Sequence, residues 1–281
     1  MNNLPKTGNE TKKKLRPAPW QIALIGFFLF YMFLPIVSTY VFSVATRWDR
    51  TILPEGYTLE FYLRAFQSSY FTITLRNSLI LSISTVLTSL VFIVPTVYWV
   101  HARVTKAKPL LDVLMILPFG IPTVVLALAL IQVYNRPPLA RSPELLIGAV
   151  VVYSMPFMYR PVSNALQALD IRTLTEAGQS LGANVFQVMR RVIIPNILTG
   201  ILSGSLLVFS TVFAEYTLTS LIVGARFKTF PLLLVEYTRI NGNVAAAFSV
   251  ISFTIAWLAS ILILWVGSKG QAVHAETFQA H

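Results

Sequence analysis

The sequence predicts an all-α membrane protein with six transmembrane helices and a cytoplasmic helix between the fourth and the fifth. Of its 281 residues, 55% are hydrophobic and only 12% are charged, and the mean hydropathy is +0.68. This charged fraction is roughly half that of a soluble domain, which excludes an ordinary cytosolic enzyme. Six apolar stretches approach about 20 residues, the length that crosses the hydrocarbon core. The predicted spans are residues 21–45, 77–100, 110–134, 145–159, 197–223 and 244–266.

Residue counts exclude several kinds of chemistry. The chain has no cysteine, so it has no disulfide framework, thiolate metal site or cysteine nucleophile. His101, His274 and His281 are too scattered along the sequence to indicate a zinc cluster. The net charge of +11 is typical of basic residues that flank membrane spans. We therefore predict neither a bound metal nor a nucleic-acid partner.

The distribution of basic residues predicts the orientation. With the N-terminus in the cytoplasm, 13 of the 22 lysine and arginine residues lie on that side, five of them in the N-terminal tail. We expect cytoplasmic tails at residues 1–20 and 268–281 and a transmembrane domain at 21–267. The first span is too long for a cleavable signal peptide, and Pro35 interrupts its second half. It is therefore predicted to remain as an anchor.

Two shorter features carry local predictions. Pro118 and Pro122 lie four residues apart inside the third span, where each removes a backbone donor, so they predict a break and a span that lines a path. Helix packing alone is the alternative. Apolar residues at helical spacing between Leu59 and Phe66 predict a short helix at the membrane interface.

The connection from Arg160 to Asn196 is longer than two neighbouring spans require. Its pattern predicts a helix within residues 171–185 with Thr175 as N-cap, and Gly182 fits either a helix end or a close backbone approach. One apolar stripe is expected at Leu174, Leu181 and Val185. Such a helix is suited to sit in a groove of a soluble partner, although an ordinary surface helix has the same pattern.

This connection contains a motif that reads Glu176-Ala177-Gly178, three residues, Gly182, nine residues and Val192-Ile193-Ile194-Pro195. It resembles the cytoplasmic loop of the permease subunits of bacterial binding-protein-dependent ABC importers, whose pattern is Glu-Ala-Ala, three residues, Gly, nine residues, Ile, any residue, Leu, Pro. The likeness extends over residues 76–267 and includes Arg76-Asn77-Ser78-Leu79 at the start of the second span.

The resemblance implies the type I importer fold, with a core at residues 73–267, in the inner or plasma membrane of a bacterium. It implies ABC ATPase subunits, a second and different permease chain, an extracytoplasmic substrate-binding protein and membrane lipid as partners. The phosphate-binding run Gly-x-x-x-x-Gly-Lys-[Ser/Thr] does not occur. ATP and magnesium are thus expected to bind to the ATPase. We expect no enzyme site on this chain. The surface expected to face the ATPase consists of Glu176, Ala177, Gly178, Leu181 and Gly182.

The substrate prediction depends on one acid deep in the fifth span. Glu215 lies between Phe213 and Tyr216, a combination that can hold a cation by ion pairing and cation–π attraction. A hydrogen bond inside the helix bundle is the alternative role. Residues 48–59 also resemble the first outer loop of spermidine/putrescine and 2-aminoethylphosphonate permeases. The resemblance therefore implies a small ammonium-bearing solute, and a phosphonate would also need a cation such as Arg76 or Arg136.

The alternatives are two other classes of membrane protein and two other kinds of transported substrate. A secondary transporter driven by an ion gradient would predict inverted repeats and paired charges in the spans, and neither is evident. A structural membrane subunit would leave the broken third span and the long loop without purpose. Importers of iron and of sugars share the scaffold and stay open as alternatives for the cargo.

Overall fold

The computed structural model describes residues 18–49 and 51–279, with side chains to residue 265. The predicted tail at residues 1–20 therefore lies almost entirely outside the described residues. Four helices in the described ranges are long and apolar enough to cross a membrane, and bent helix pairs raise that number to six. The long helices are α1 (Pro19–Val44), α3 (Phe71–Arg103), α6 (Pro143–Gln167) and α13 (Gly242–Gln279).

Shorter helices complete the chain. Three-residue and four-residue 3₁₀ turns precede α4, α5 and α12. A π-helical turn at Met189–Ile193 separates α8 from α9. The shorter helices are α2 (Glu60–Phe66), α4 (Lys108–Ile116), α5 (Thr123–Val133), α7 (Ile171–Ser180), α8 (Val185–Val188), α9 (Ile194–Asn196), α10 (Leu198–Phe213), α11 (Thr217–Ile222) and α12 (Phe230–Thr238).

The third and fifth predicted spans are bent. Residues 105–120 and 123–133 meet at 96°, and residues 185–196 and 198–213 meet at 78°. The first bend lies at Pro118 and Pro122, as the sequence predicts, because neither proline can donate a helical hydrogen bond. The fifth predicted span, 197–223, also departs from one helix, since α10 ends at Phe213 and α11 begins at Thr217.

One predicted boundary differs from the structure. The fourth span is predicted to close at Arg160, but α6 continues to Gln167. A long arginine side chain can reach polar surroundings from inside a helix, so its charge does not mark the helix end. The backbone of α13 is helical to Gln279 and so extends into the predicted C-terminal tail, whose cytoplasmic location stays a prediction.

The core is a bundle in which α3, α6 and α10 make the most extensive helix contacts of the described chain. Gly200 and Gly204 of α10 face α6 at the closest points. A Cβ at Gly200 would lie 2.6 Å from Cβ of Ala165 and 2.7 Å from the carbonyl oxygen of Pro161. A Cβ at Gly204 would lie 2.8 Å from Sδ of Met158. Glycines four residues apart let two membrane helices approach backbone to backbone.

Polar side chains fix the other end of the bundle. Asn77 Nδ2 donates to the carbonyl of Lys228 at 2.9 Å, and the N–H of Phe230 donates to Ser78 Oγ at 2.8 Å. Both contacts join the beginning of α3 to the entry of α12. They explain the Asn77-Ser78 pair structurally, because backbone groups at the membrane boundary need partners where water is scarce.

The predicted interfacial helix is present as α2. Its buried residues Phe61 and Ala65 pack in a cluster with Phe230 and Phe248 of α12 and α13. Asn243, near the start of α13, donates to the carbonyls at the end of α1, each at 3.0 Å. The outer connection is thereby attached to the body of the protein.

We expect Gly200→Ala to destabilise the bundle, because neither a methyl group nor a backbone carbonyl can rotate away from the added Cβ. Overpacking of this kind costs about 1–3 kcal/mol. Gly148→Ala on α6 is the matched control, since a Cβ there has nothing within 4 Å. Thermal unfolding of the purified variants in detergent should show a lower midpoint for Gly200→Ala alone. Equal midpoints for the two variants would contradict the close contact.

Candidate functional site

The loop helix α7 begins earlier than the sequence pattern indicates. Asp170 is its N-cap, and its carboxylate accepts hydrogen bonds from the N–H of Thr173 at 3.2 Å and from Thr173 Oγ1 at 2.8 Å. These bonds lower the pKa of Asp170. The prediction of Thr175 as N-cap is therefore wrong: its hydroxyl donates backward to the carbonyl of Ile171 at 2.7 Å, inside the helix. Aspartate offers the same capping chemistry five residues earlier.

The inner side of α7 is attached to the end of α3. The hydroxyls of Tyr98 and Thr175 lie 3.1 Å apart, and each residue is only 2% exposed. Arg103, the last residue of α3, donates to Gln179 Oε1 at 2.7 Å. Ile171 is buried in the main core cluster. The buried Tyr98–Thr175 pair and the hydrogen bond from Arg103 attach α7 to α3. We therefore expect the two helices to move together.

The C-terminus of α7 is closed by Gly182. Its φ of +83° lies in the left-handed region that favours glycine. The N–H of Gly182 donates to Gln179 at 2.9 Å, and the N–H of Ala183 donates to Gly178 at 3.1 Å. This is the Schellman arrangement that ends a helix and turns the chain. The predicted helix end at Gly182 is confirmed.

Four of the five residues predicted to face an ATPase lie on the outer side of this turn, namely Glu176, Ala177, Leu181 and Gly182. Gly178 differs, because it faces α8, and a Cβ there would lie 2.7 Å from Val188 Cγ2. Gly178 thus allows α7 and α8 to pack closely.

The predicted apolar stripe does not form as one surface. Leu174 packs against the core, whereas Leu181 is 89% exposed. The reason is that α7 ends at Ser180, so the helical spacing no longer applies at Leu181.

An exposed apolar surface surrounds the turn. Leu181 and Phe186, which is 63% exposed, project from it. Glu176 is paired with Arg172 at 2.8 Å, and both side chains are largely exposed. Sequence reasoning missed Phe186, although a large apolar residue two positions after the Asn184 N-cap was a visible signal. We call Glu176, Ala177, Leu181, Gly182 and Phe186 the loop surface.

Glu215 lies at the break between α10 and α11. Its Oε1 accepts from the N–H of Leu218 at 2.7 Å, and its Oε2 accepts from the N–H of Thr219 at 2.9 Å and from Thr219 Oγ1 at 2.8 Å. The residue is buried. The carboxylate therefore satisfies the first backbone donors of α11, which a nonhelical break would otherwise leave unpaired in the membrane.

The aromatic neighbours of Glu215 do not form a cage with it. Phe213 is buried and stacks on Phe209 with ring centroids 5.7 Å apart. Tyr216 is 40% exposed, so it is the member of the predicted trio that remains accessible. The structure supports the alternative role of Glu215, a hydrogen bond within the helix bundle.

Comparison with known proteins identifies related chains. The family model for the inner membrane component of binding-protein-dependent transport systems matches residues 99–268, more than half of the chain. The spermidine/putrescine transport system permease protein PotB of Salmonella typhimurium is 27% identical over 266 residues, covering 88% of this chain and 92% of PotB. PotB of Escherichia coli K12 is 26% identical over 266 residues, with coverages of 88% and 96%.

A protein assigned to the 2-aminoethylphosphonate transport system of Salmonella choleraesuis is 25% identical over 264 residues, with coverages of 91% and 98%. Among solved structures, a bacterial ABC transporter involved in alginate import matches with a TM-score of 0.66 at 17% identity, covering 89% of this chain and 94% of that chain. The MetNI methionine ABC transporter matches with a TM-score of 0.56 at 19% identity, with coverages of 74% and 99%. These two structures share the fold.

We expect Gly178→Ala to loosen the α7–α8 contact. Alanine favours a helix over glycine by up to about 1 kcal/mol, but its Cβ would meet Val188, which is buried. Hydrogen exchange in α7 should become faster in this variant. The double variant Gly178→Ala with Val188→Ala should restore slow exchange. Slower exchange in Gly178→Ala alone would show that the contact does not constrain the helix.

For Glu215 we expect a structural effect. Glu215→Ala removes the acceptor of three donors, each costing about 1–3 kcal/mol when left unsatisfied. The thermal midpoint should fall in the order wild type, Glu215→Gln, Glu215→Ala, since glutamine retains one acceptor oxygen. Titration with putrescine distinguishes this structural role of Glu215 from a role in cation binding. A Gln variant as stable as wild type that no longer binds putrescine would return Glu215 to the role of cation ligand.

Proposed function

Because the chain belongs to the family of inner membrane components of binding-protein-dependent transport systems, we propose that its loop surface docks on an ABC ATPase subunit. The protein is a permease of a binding-protein-dependent ABC importer and a multi-pass membrane protein. Its helices form part of the substrate path. The comparisons give no support to transport driven by an ion gradient.

One observation carries the docking proposal. The loop surface exposes Leu181 and Phe186, while the inner side of the same helix is fixed to α3 through Tyr98 and Thr175. Apolar side chains at the tip of a rigid loop gain free energy when a partner covers them. The attachment to α3 would then transfer movement of the partner to the transmembrane bundle.

The remaining partners follow from the same proposal. The ATPase would hold ATP and magnesium, since the phosphate-binding run is absent from this sequence. We further propose a second, different permease chain and an extracytoplasmic binding protein. Both termini, with α7, would lie in the cytoplasm, as the excess of basic residues on that side supports.

The proposed cargo is a small ammonium-bearing solute. Support comes from the relatives named for spermidine/putrescine and for 2-aminoethylphosphonate transport. Tyr216, exposed beside the break at Glu215, is the proposed aromatic contact in the path. Glu215 and Phe213 would act indirectly, by holding the break and the adjoining helix in place.

Leu181→Asp should abolish ATPase docking while the permease still reaches the membrane. The substitution places a charge in the centre of the proposed apolar contact, and the side chain is 89% exposed in the isolated chain, so folding should be unaffected. Ile52→Asp is the matched control, because Ile52 is 93% exposed in the outer connection. The measurement is copurification of the ATPase together with uptake. Normal copurification with Leu181→Asp would contradict the proposed docking surface.

A further inference from the structure

A cavity of about 430 Å³ lies beside the broken third span. This volume is within the range of about 300–1,000 Å³ that is usual for ligand sites. It lies between α4, α6 and α10. Its walls include Ile116, Phe119, Phe157, Arg160, Asn164 and Leu207.

The break at Pro118 and Pro122 shapes this cavity. It turns the chain by 96° and so takes α5 out of line with α4. Phe119, inside the break, packs edge to face on Phe157 of α6 with ring centroids 5.2 Å apart. The two rings give the cavity an apolar wall next to the polar residues of α6.

Arg160 and Asn164 supply the polar side. They lie one helical turn apart on α6, and both side chains are exposed. In the described part of the chain, neither side chain has a hydrogen-bond or ion-pair partner. Arg160 therefore offers five N–H donors and Asn164 two more toward one cavity.

Among the described residues, Arg160 forms no ion pair with an acid. Asp112 on α4 accepts a hydrogen bond from the hydroxyl of Tyr159, the residue before Arg160. Asp112 is not within ion-pair distance of Arg160 among the described residues. Arg160 is seven residues from the end of α6, about 10 Å along the helix. A cation that has no partner within a membrane helix is a candidate for ligand binding.

We propose that the Arg160 cavity binds the phosphorus oxyanion of a transported solute. This rests on the proposed function as a permease and narrows the substrate class to a zwitterionic aminophosphonate, such as 2-aminoethylphosphonate. A guanidinium matches the oxygens of a phosphonate in bidentate geometry. A polyamine carries only positive charge, and Arg160 repels it. A lipid phosphate has the same chemistry as the solute, and the experiment must separate the two sources.

The test uses the complete importer in phosphatidylcholine vesicles, with saturating binding protein and either labelled 2-aminoethylphosphonate or labelled putrescine. We expect uptake of 2-aminoethylphosphonate by the wild type. Arg160→Gln should reduce it about 10-fold or more, and Arg160→Lys should reduce it less, because lysine keeps the charge but loses the fork. Lys106→Gln is the control, since Lys106 is also exposed but lies outside the cavity.

Phosphatidylcholine itself carries a phosphate, so the source of the oxyanion is identified in maltoside detergent, with the permease–ATPase complex freed of lipid and without binding protein. Loss of labelled 2-aminoethylphosphonate binding in Arg160→Gln supports the solute. Equal binding by the wild type and Arg160→Gln assigns the cavity to a lipid headgroup and overturns the proposal, as does putrescine uptake without 2-aminoethylphosphonate uptake. Unchanged transport by Arg160→Gln overturns it too. If Arg160→Gln fails to assemble, Arg160→Lys decides, because wild-type transport by the lysine variant excludes bidentate binding.

ATP hydrolysis, measured in parallel, distinguishes failure of the cavity proposal from failure of the proposed docking on an ATPase. A wild-type chain that assembles with no ATPase would contradict the proposed docking. Normal ATP hydrolysis together with altered solute uptake would leave the docking intact and test only the role of Arg160.

Discussion

The backbone contact between α6 and α10 is the constraint on which the rest of the structure depends. Lipid tails are as apolar as the side chains of a membrane helix, so helices associate through close packing and not through burial from water. Gly200 and Gly204 provide that packing by bringing α10 against Pro161, Ala165 and Met158. The segment with α7, α8 and α9 connects these two helices. The spacing of α6 and α10 therefore determines the position of the loop surface relative to the bundle.

Two of the breaks in the described spans, at Pro118 and at Glu215, satisfy the backbone in different ways. At Pro118 and Pro122 the prolines remove donors, and the resulting bend leaves a cavity that Phe119 and Phe157 line. At the second break, Glu215 accepts three hydrogen bonds from Leu218 and Thr219. A carboxylate is tolerated at this depth because its oxygens are paired. The helices that follow the two breaks, α5 and α11, pack against each other.

Much of the fold could be predicted from the sequence, because apolar length and proline position are local signals. The break at Pro118, the interfacial helix α2 and the helix end at Gly182 all belong to this class. The roles of Gly178 and Glu215 could not be predicted in the same way. Gly178 matches a loop motif, but a glycine is needed there because the position contacts Val188, which lies on another helix. Glu215 has the composition of a cation site, but the backbone donors of α11 exist only once the span is broken. The Gly200 and Gly204 spacing was a signal in the sequence that went unused.

The central claim is that the tip of α7 lies in the cytoplasm and is covered by the ATPase. The chain has no cysteine, so Leu181→Cys creates a single thiol at the most exposed point of the loop surface. Its labelling by a membrane-impermeant maleimide in oriented vesicles tests this claim most directly. We expect labelling from the cytoplasmic face only, and protection when the ATPase is bound. Labelling from the outer face, or equal labelling with and without the ATPase, would contradict it.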